Sequence, residues 1–264
     1  MPQIKIADIQ LAYSDDGSGP TLILLHGFPF NRSLWEEQTA VLRQTHRVIC
    51  PDLRGFGETD ASSGTATMNR MAQDVALLMD SLEISTSTIG GLSMGGYVAL
   101  AFYKQSAARV NALVLADTRP QGDTEEARLQ RRVQAEQALS DGMGPIADGM
   151  LPKLLTPQTV SQRPQVVKRV RDMIMTTKPA GAAAALRGMA LREDQTNLLS
   201  KIEVPTLILV GKEDAITPVK DSETMHERIS GSRLVIIENA GHVSNLEQTE
   251  IFNAELQSFL DRIK

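Results

Sequence analysis

Ser93 sits at the centre of Gly91-x-Ser93-x-Gly95, just after the β-type run Ser87-Thr88-Ile89 and just before a helical stretch that opens at Tyr97. A chain that reverses sharply from strand to helix forces its apex residue toward unusual φ/ψ. The residues two positions to either side must then be nearly free of side chain. The apex hydroxyl stands clear of the sheet edge at a helix N-terminus, where free N–H groups favour negative charge. A serine hydroxyl becomes a nucleophile only when a base removes its proton and an acid orients the base. In the strand-to-helix arrangement these partners follow in the order Ser, Asp or Glu, His. Asp214 follows the apolar run Val204-Pro-Thr-Leu-Ile-Leu-Val210, and His242 follows the run Arg233-Leu-Val-Ile-Ile237. Both therefore fall just past the carboxyl ends of buried strands, where ligands bind on an open parallel sheet. Singly, each has an ordinary reading: a chance loop pattern, a helix cap, a loop histidine. Together, the order and placement point to Ser93 as nucleophile, His242 as base and Asp214 as the acid that orients it.

Acyl transfer also needs donors aimed at the oxygen that becomes negative. The apolar run Thr21-Leu-Ile-Leu-Leu25 ends in His26-Gly27-Phe28-Pro29, so the N–H of Phe28, with that of Met94, is expected to form an oxyanion hole. His26 reads as a buried loop anchor rather than a second base. Asp117, after the run 110–116, is the competing candidate to orient His242, with capping or a loop hydrogen bond as its alternative. Arg119 is placed either to hold a substrate carboxylate through paired hydrogen bonds or to form an ion pair.

The elements that must position these residues follow from short apolar runs alternating with longer helical patterns, which predict a parallel sheet covered by helices. After a hairpin through 4–13, strands are expected at 21–25, 47–50, 86–89, 110–116, 206–210 and 233–237, with helices at 68–82 and 252–263. The stretch between 116 and 204 is too long for a simple crossover. Apolar residues at helical spacing in 146–155, 164–177 and 180–191, after a charged helical run at 123–139, predict a helical cap over 120–194. The core would comprise 1–119 and 195–264. Met143, Met150, Met173, Met175 and Met189 are expected mostly to pack that cap, with one or two lining a pocket.

With 264 residues, 42% of them hydrophobic, the chain can bury a full core. A net charge of −5 gives no basic surface for nucleic acid or anionic lipid. The N-terminal residues lack a signal-peptide pattern, and no apolar stretch approaches the roughly 20 residues of a membrane span, which leads to the expectation of a cytoplasmic protein. The lone Cys50 reads as a buried strand residue and is compatible with a reducing compartment. Four histidines without paired spacing predict no metal site, and no glycine-rich phosphate loop is complete, so no cofactor is expected.

The segments His26-Gly27-Phe28-Pro29, Pro51-Asp52-Leu53-Arg54-Gly55-Phe56-Gly57, Gly90-Gly91-Leu92-Ser93-Met94-Gly95-Gly96, Gly211-Lys212-Glu213-Asp214 and Gly241-His242 span nearly the whole chain. In these the chain resembles the α/β-hydrolase superfamily. The serine segment and the Phe-Pro after His-Gly are similar to those of small carboxylesterases and 3-oxoadipate enol-lactonases. The resemblance implies an α/β-hydrolase fold: a mostly parallel eight-stranded sheet flanked by helices, with the helical cap inserted after strand 6. It also implies a serine hydrolase acting on a small-molecule ester, with a lactone as the alternative substrate. Carbon–carbon bond hydrolysis and a non-catalytic ligand-binding role are further alternatives. Haloalkane dehalogenases and epoxide hydrolases place Asp where this chain has Ser93, which disfavours those reactions. One departure is Thr249, where relatives often carry proline after a Glu-x pair. Homo-oligomerisation is left open by the sequence.

Overall fold

The computed structural model describes residues 2–61 and 64–263. Eight strands form one sheet: β1 (Gln3–Ile6), β2 (Ile9–Asp16), β3 (Thr21–Leu25), β4 (Arg47–Pro51), β5 (Ser87–Leu92), β6 (Val110–Ala116), β7 (Thr206–Gly211) and β8 (Arg233–Ile237). Their order across the sheet is β1-β2-β4-β3-β5-β6-β7-β8. Only β2 runs antiparallel to its neighbours, and β4 through β8 pair in parallel. Strands β3, β5, β6 and β7 are almost wholly buried, as their continuous apolar runs require of parallel strands covered on both faces.

The helices outside the long insertion are α1 (Glu36–Leu42), α2 (Met68–Ser81), α3 (Met94–Ser106), and, after β7, three more numbered below. Between β6 and β7 lie α4 (Glu125–Asp141), α5 (Met143–Leu154), α6 (Pro157–Gln162), α7 (Pro164–Met175), α8 (Pro179–Ala190) and the single turn α9 (Thr196–Leu199). The chain closes with α10 (Val219–Arg228), the short α11 (Ser244–Glu247) and α12 (Thr249–Leu260). The insertion is therefore helical, as the spacing predicts, and includes α6, which the apolar pattern does not reveal. Its signal is capping instead: Thr156 accepts a bond from the Thr159 N–H at 3.1 Å, and Pro157 occupies the first turn.

Several boundaries differ from expectation, among them the opening of α3 at Met94 and the close of α12 at Leu260, and two differ for evident local reasons. Strand β5 runs on through Gly90, Gly91 and Leu92, because Leu24 pairs with Gly90 and Leu25 with Gly91. A Cβ on Gly90 would stand 2.7 Å from Leu24 Cδ2, so glycine is what lets the strand continue there. Helix α12 starts at Thr249, whose hydroxyl donates to the carbonyl of Asn245 at 3.0 Å, and this bond continues the turn of α11.

Helix α8 shows how the insertion docks. Its buried face is Gly181 with Ala182 to Ala185, and an added Cβ on Gly181 or Gly188 would come within 1.8 Å of the carbonyls of Gly55 and Ala66. The Ala66 N–H also donates to the Ala184 carbonyl at 3.0 Å. Backbone thus meets backbone between insertion and core. Met143, Met173 and Met189 are buried in the apolar core and Met175 is exposed, so packing accounts for most of these methionines. Cys50 is fully buried in β4, and burial pushes its thiol up to about 12. No helix among the described residues is long and apolar enough to cross a membrane.

Backbone also meets backbone beneath the β5–α3 turn, where a Cβ on Gly95 would fall 2.1 Å from the Leu25 carbonyl oxygen. Gly95→Ala is expected to cost about 3 kcal/mol or more, seen as a fall in thermal midpoint. Gly144→Ala, on α5 with open space around it, should be neutral or stabilising by up to ~1 kcal/mol. Equal midpoints for the two variants would contradict this account.

Candidate active site

Ser93 occupies the β5–α3 turn at φ 55° and ψ −115°, a backbone conformation that side chains rarely adopt. Its N–H donates to the Ala116 carbonyl at 2.9 Å, and Thr118 Oγ1 donates to the Ser93 carbonyl at 2.8 Å. These bonds bind the turn to the end of β6. The glycines on either side leave room for it, since a Cβ on Gly91 would strike the Gly95 carbonyl at 2.2 Å and one on Gly96 the Thr118 hydroxyl at 2.4 Å.

The structure brings Ser93, His242 and Asp214 into one chain of hydrogen bonds. Ser93 Oγ lies 2.8 Å from His242 Nε2, and His242 Nδ1 lies 2.8 Å from Asp214 Oδ2. All three are buried, with Ser93 the most exposed of them at 8%. Asp214 is fixed by its own turn. Its Oδ1 accepts from the N–H groups of Ile216 and Thr217 at 2.8 and 2.9 Å, and its Oδ2 accepts from the Thr217 hydroxyl at 2.7 Å. With the carboxylate so filled, the geometry favours a proton on His242 Nδ1 and a free acceptor at Nε2 facing the serine. Thr217 is a functional neighbour that the search for strand-end acids passes over. The readable signal is its position three residues after an aspartate at a loop start, the spacing of a side-chain-capped turn.

Burial opposes charge on both partners, yet the pair counteracts it. The charge and hydrogen bond of His242, with the bonds from Thr217, hold the Asp214 carboxyl below its usual range. Burial works against the imidazolium of His242, but Asp214 beside it and Asp117 behind it leave its pKa raised.

Asp117 is not the carboxylate hydrogen-bonded to His242. It turns at φ 43°, accepts from the Gly211 N–H at 2.8 Å, and lies 2.6 Å from Ser244 Oγ and 3.3 Å from the Ser244 N. It joins the ends of β6 and β7 to the segment after His242. Complete burial, then the nearby Asp214 charge, push its carboxyl up to about 8. The Ser244 hydroxyl and the Gly211 N–H donate to its two oxygens and partly offset that push.

The His26–Pro29 loop lies against the serine, since a Cβ on Gly27 would come within 3.3 Å of Ser93 Cβ. Phe28 therefore stands beside the turn, and Met94, as the first residue of α3, has an N–H with no intrahelical acceptor. His26 takes the Leu53 N–H on Nε2 at 3.0 Å, which leaves Nδ1 to donate to the Gly27 carbonyl at 2.9 Å. Both ring nitrogens are thus committed, and burial lowers its pKa. His26 anchors the loop.

Arg119 belongs to an ion cluster around the buried Asp123. Arg192 Nη1 lies 2.6 Å from that carboxylate and Arg119 Nη2 3.6 Å, with Arg131 bonded to it as well. Arg192 also stacks 4.2 Å above the Tyr97 ring, one helical turn beyond Ser93. A surface groove of about 610 Å³ bordered by Arg32, Asp52 and Glu58 touches none of Ser93, Asp214 and His242. No group of three or more His, Cys, Asp or Glu that could hold a metal ion occurs among the described residues.

A sharp strand-to-helix turn at the end of a central parallel strand, whose serine faces a histidine and a carboxylate from later strand ends, is the arrangement of the α/β class of hydrolases. The chain belongs to the alpha/beta hydrolase fold family, whose model matches residues 20–249. It is 42% identical to a thermophilic esterase from Thermogutta terrifontis, solved with malate bound, over 100% of this chain and 99% of that one, with a TM-score of 0.98. The enol-lactonase from Burkholderia xenovorans is 29% identical over 98% of this chain and all of its own, with a TM-score of 0.93. Among curated relatives, 3-oxoadipate enol-lactonase 2 of Acinetobacter baylyi is 29% identical over 97% of this chain and 94% of its own length.

Because His242 owes its raised pKa to Asp214, Asp214→Asn should drop the imidazole pKa toward or below the ordinary 6.5. An NMR titration of the ring would show it. The pairing contributes fully between the ordinary Asp and His values of 3.8 and 6.5; it fades above that window as pH rises through the raised His242 value, and below it as pH falls through the lowered Asp214 value. The variant should therefore lose most stability relative to the parent between about pH 4 and 6.5. An unchanged imidazole pKa would show that Asp214 is not the group that raises it.

Proposed function

We propose that the protein is a serine hydrolase that cleaves carboxylic esters of small molecules through an acyl-enzyme. The observation that carries this reading is the unbroken Ser93–His242–Asp214 chain with 2.8 Å at each link, set at a strained strand-to-helix apex. Ser93 Oγ attacks the ester carbonyl while His242 Nε2 takes its proton, and Asp214 keeps His242 in the required tautomer and stabilises the imidazolium. The N–H groups of Phe28 and Met94 receive the oxyanion. His242 then protonates the leaving alkoxide, and the acyl group stays on Ser93. Water, deprotonated by His242, attacks the acyl-enzyme, and collapse returns the proton to Ser93 and releases the acid. In this reading residues 120–194 form the cap that shapes the acyl pocket, and the chemistry needs no cofactor.

A lactone is the second reading, favoured by the enol-lactonases that match this chain over nearly its full length. There the leaving alkoxide and the acyl group are one molecule, so ring opening leaves a hydroxyacyl enzyme.

Hydrolysis of p-nitrophenyl esters from acetate to decanoate, beside a lactone panel, tests both. Ser93→Ala is expected to lower kcat by a factor on the order of 10³ or more, with the fold intact by circular dichroism. Lactone turnover well above ester turnover would make lactones the substrate class. No Ser93-dependent turnover on either panel would overturn the proposal and bring carbon–carbon hydrolysis or ligand binding forward.

A further inference from the structure

The segment that carries His242 is tied to the helical insertion as well as to the sheet. The His242 N–H donates to the carbonyl of Leu154, the last residue of α5, at 3.0 Å. The preceding Gly241 N–H donates to Glu247 Oε2 at 2.6 Å. The other oxygen of that carboxylate, Oε1, accepts from the Thr156 N–H at 2.9 Å and the Thr156 hydroxyl at 3.0 Å. Arg163, just past α6, bonds back to the Glu247 backbone carbonyl. Glu247 is only 2% exposed, and no cation pairs with its carboxylate among the described residues.

A buried carboxylate without a cation is costly unless donors surround it. Among the described residues the donors come from two places: the residue before His242 and the N-cap of α6. The carboxylate therefore acts as a rigid bridge from the insertion to the peptide that aims the imidazole. The fit is close, since a Cβ on Gly241 would approach the Leu154 carbonyl at 2.9 Å and Glu247 Oε2 at 3.1 Å. His242 must reach Ser93 on one side and Asp214 on the other at 2.8 Å each, so a shift of its backbone lengthens one bond or both. Misplacement of a reacting group by about 1 Å can cost on the order of 100-fold in rate.

We propose that Glu247 and Thr156 are positioning residues for His242, so that the α5–α6 junction is part of the catalytic framework and stays docked through turnover. The inference rests on the reading of His242 as the general base. The junction cannot swing away from the core without breaking the His242–Leu154 and Glu247–Thr156 bonds, so substrate enters by a route that leaves this contact closed.

The test compares Thr156→Val with Thr156→Ser, and uses Glu247→Gln as an independent break from the other side of the bridge. Turnover of a p-nitrophenyl ester is measured together with the downfield NMR signal of the His242 Nδ1 proton. Thr156→Val is expected to lower kcat roughly tenfold with KM within about twofold, because misplacement of the base affects the chemical step rather than binding. The Nδ1 proton should also exchange faster. Thr156→Ser, which restores the hydroxyl, should recover kcat to within about twofold, and Glu247→Gln should behave as Thr156→Val does. A fall in thermal midpoint alone, with kcat per folded enzyme and the Nδ1 signal unchanged in Thr156→Val and Glu247→Gln, would overturn the proposal. Should the parent show no Ser93-dependent turnover, the reading of His242 as base falls, and the Nδ1 signal still decides whether Thr156 and Glu247 hold the imidazole.

Discussion

The strained turn at Ser93 is the constraint on which the rest of the structure depends. Holding a non-glycine residue at φ 55° and ψ −115° costs on the order of 1–3 kcal/mol, and such a conformation persists only where its surroundings over-determine it. Those surroundings are identifiable here. Parallel pairing with β3 and β6 fixes β5 from both sides, and the Ser93 N–H is spoken for by Ala116. Gly91, Gly95 and Gly96 supply the space that lets strand, turn and helix pass within backbone contact. The packing of β3, β5, β6 and α3 thus fixes the backbone from which the hydroxyl projects.

Around that turn the sheet gathers acidic groups of different character. Asp214 accepts from two backbone N–H groups and the Thr217 hydroxyl, so it is stabilised as an anion. Asp117, at the end of the neighbouring strand β6, is fully buried near that anion and is driven toward its neutral form. Two carboxyls in one low-dielectric region are tolerated because their environments separate them. One faces the imidazole, and the other binds the ends of β6 and β7 to Ser244. Burial of His242 strengthens the Asp214 contact in turn, since the low local dielectric magnifies a satisfied charged pair.

The insertion contributes to this arrangement from above. Its α8 packs glycine and alanine directly on core backbone, and its α5–α6 junction meets the histidine segment through backbone and a buried carboxylate. Contacts between backbones transmit small displacements with little cushioning, and the Glu247 carboxylate, bonded at both oxygens, is held in place between them. Stability of the insertion and geometry of the site are therefore linked through packing.

The eight strands, the helical insertion after the sixth and the order Ser93, Asp214, His242 were all legible in the chain, because each leaves a local mark. Buried parallel strands are continuous apolar runs, a nucleophile turn needs glycines at fixed offsets, and loop acids and histidines follow strands directly. Asp117 illustrates what is not local. It follows a strand as Asp214 does, and only the sheet order and the φ 43° turn decide that it faces Gly211 and Ser244 instead of the imidazole. Glu247 and Thr156 are 91 positions apart, and no periodicity links them. Arg119 could be placed near the site from sequence, whereas the gathering of Arg119, Arg131 and Arg192 on one buried Asp123 needed the fold. Residue types and spacing thus determined the architecture and the placing of Ser93, Asp214 and His242 just past strand ends, since these are set by chain-local sterics and hydrophobic pattern. Tertiary structure alone decided which carboxylate orients the histidine and what holds that histidine still, because those choices depend on contacts between segments far apart in the chain.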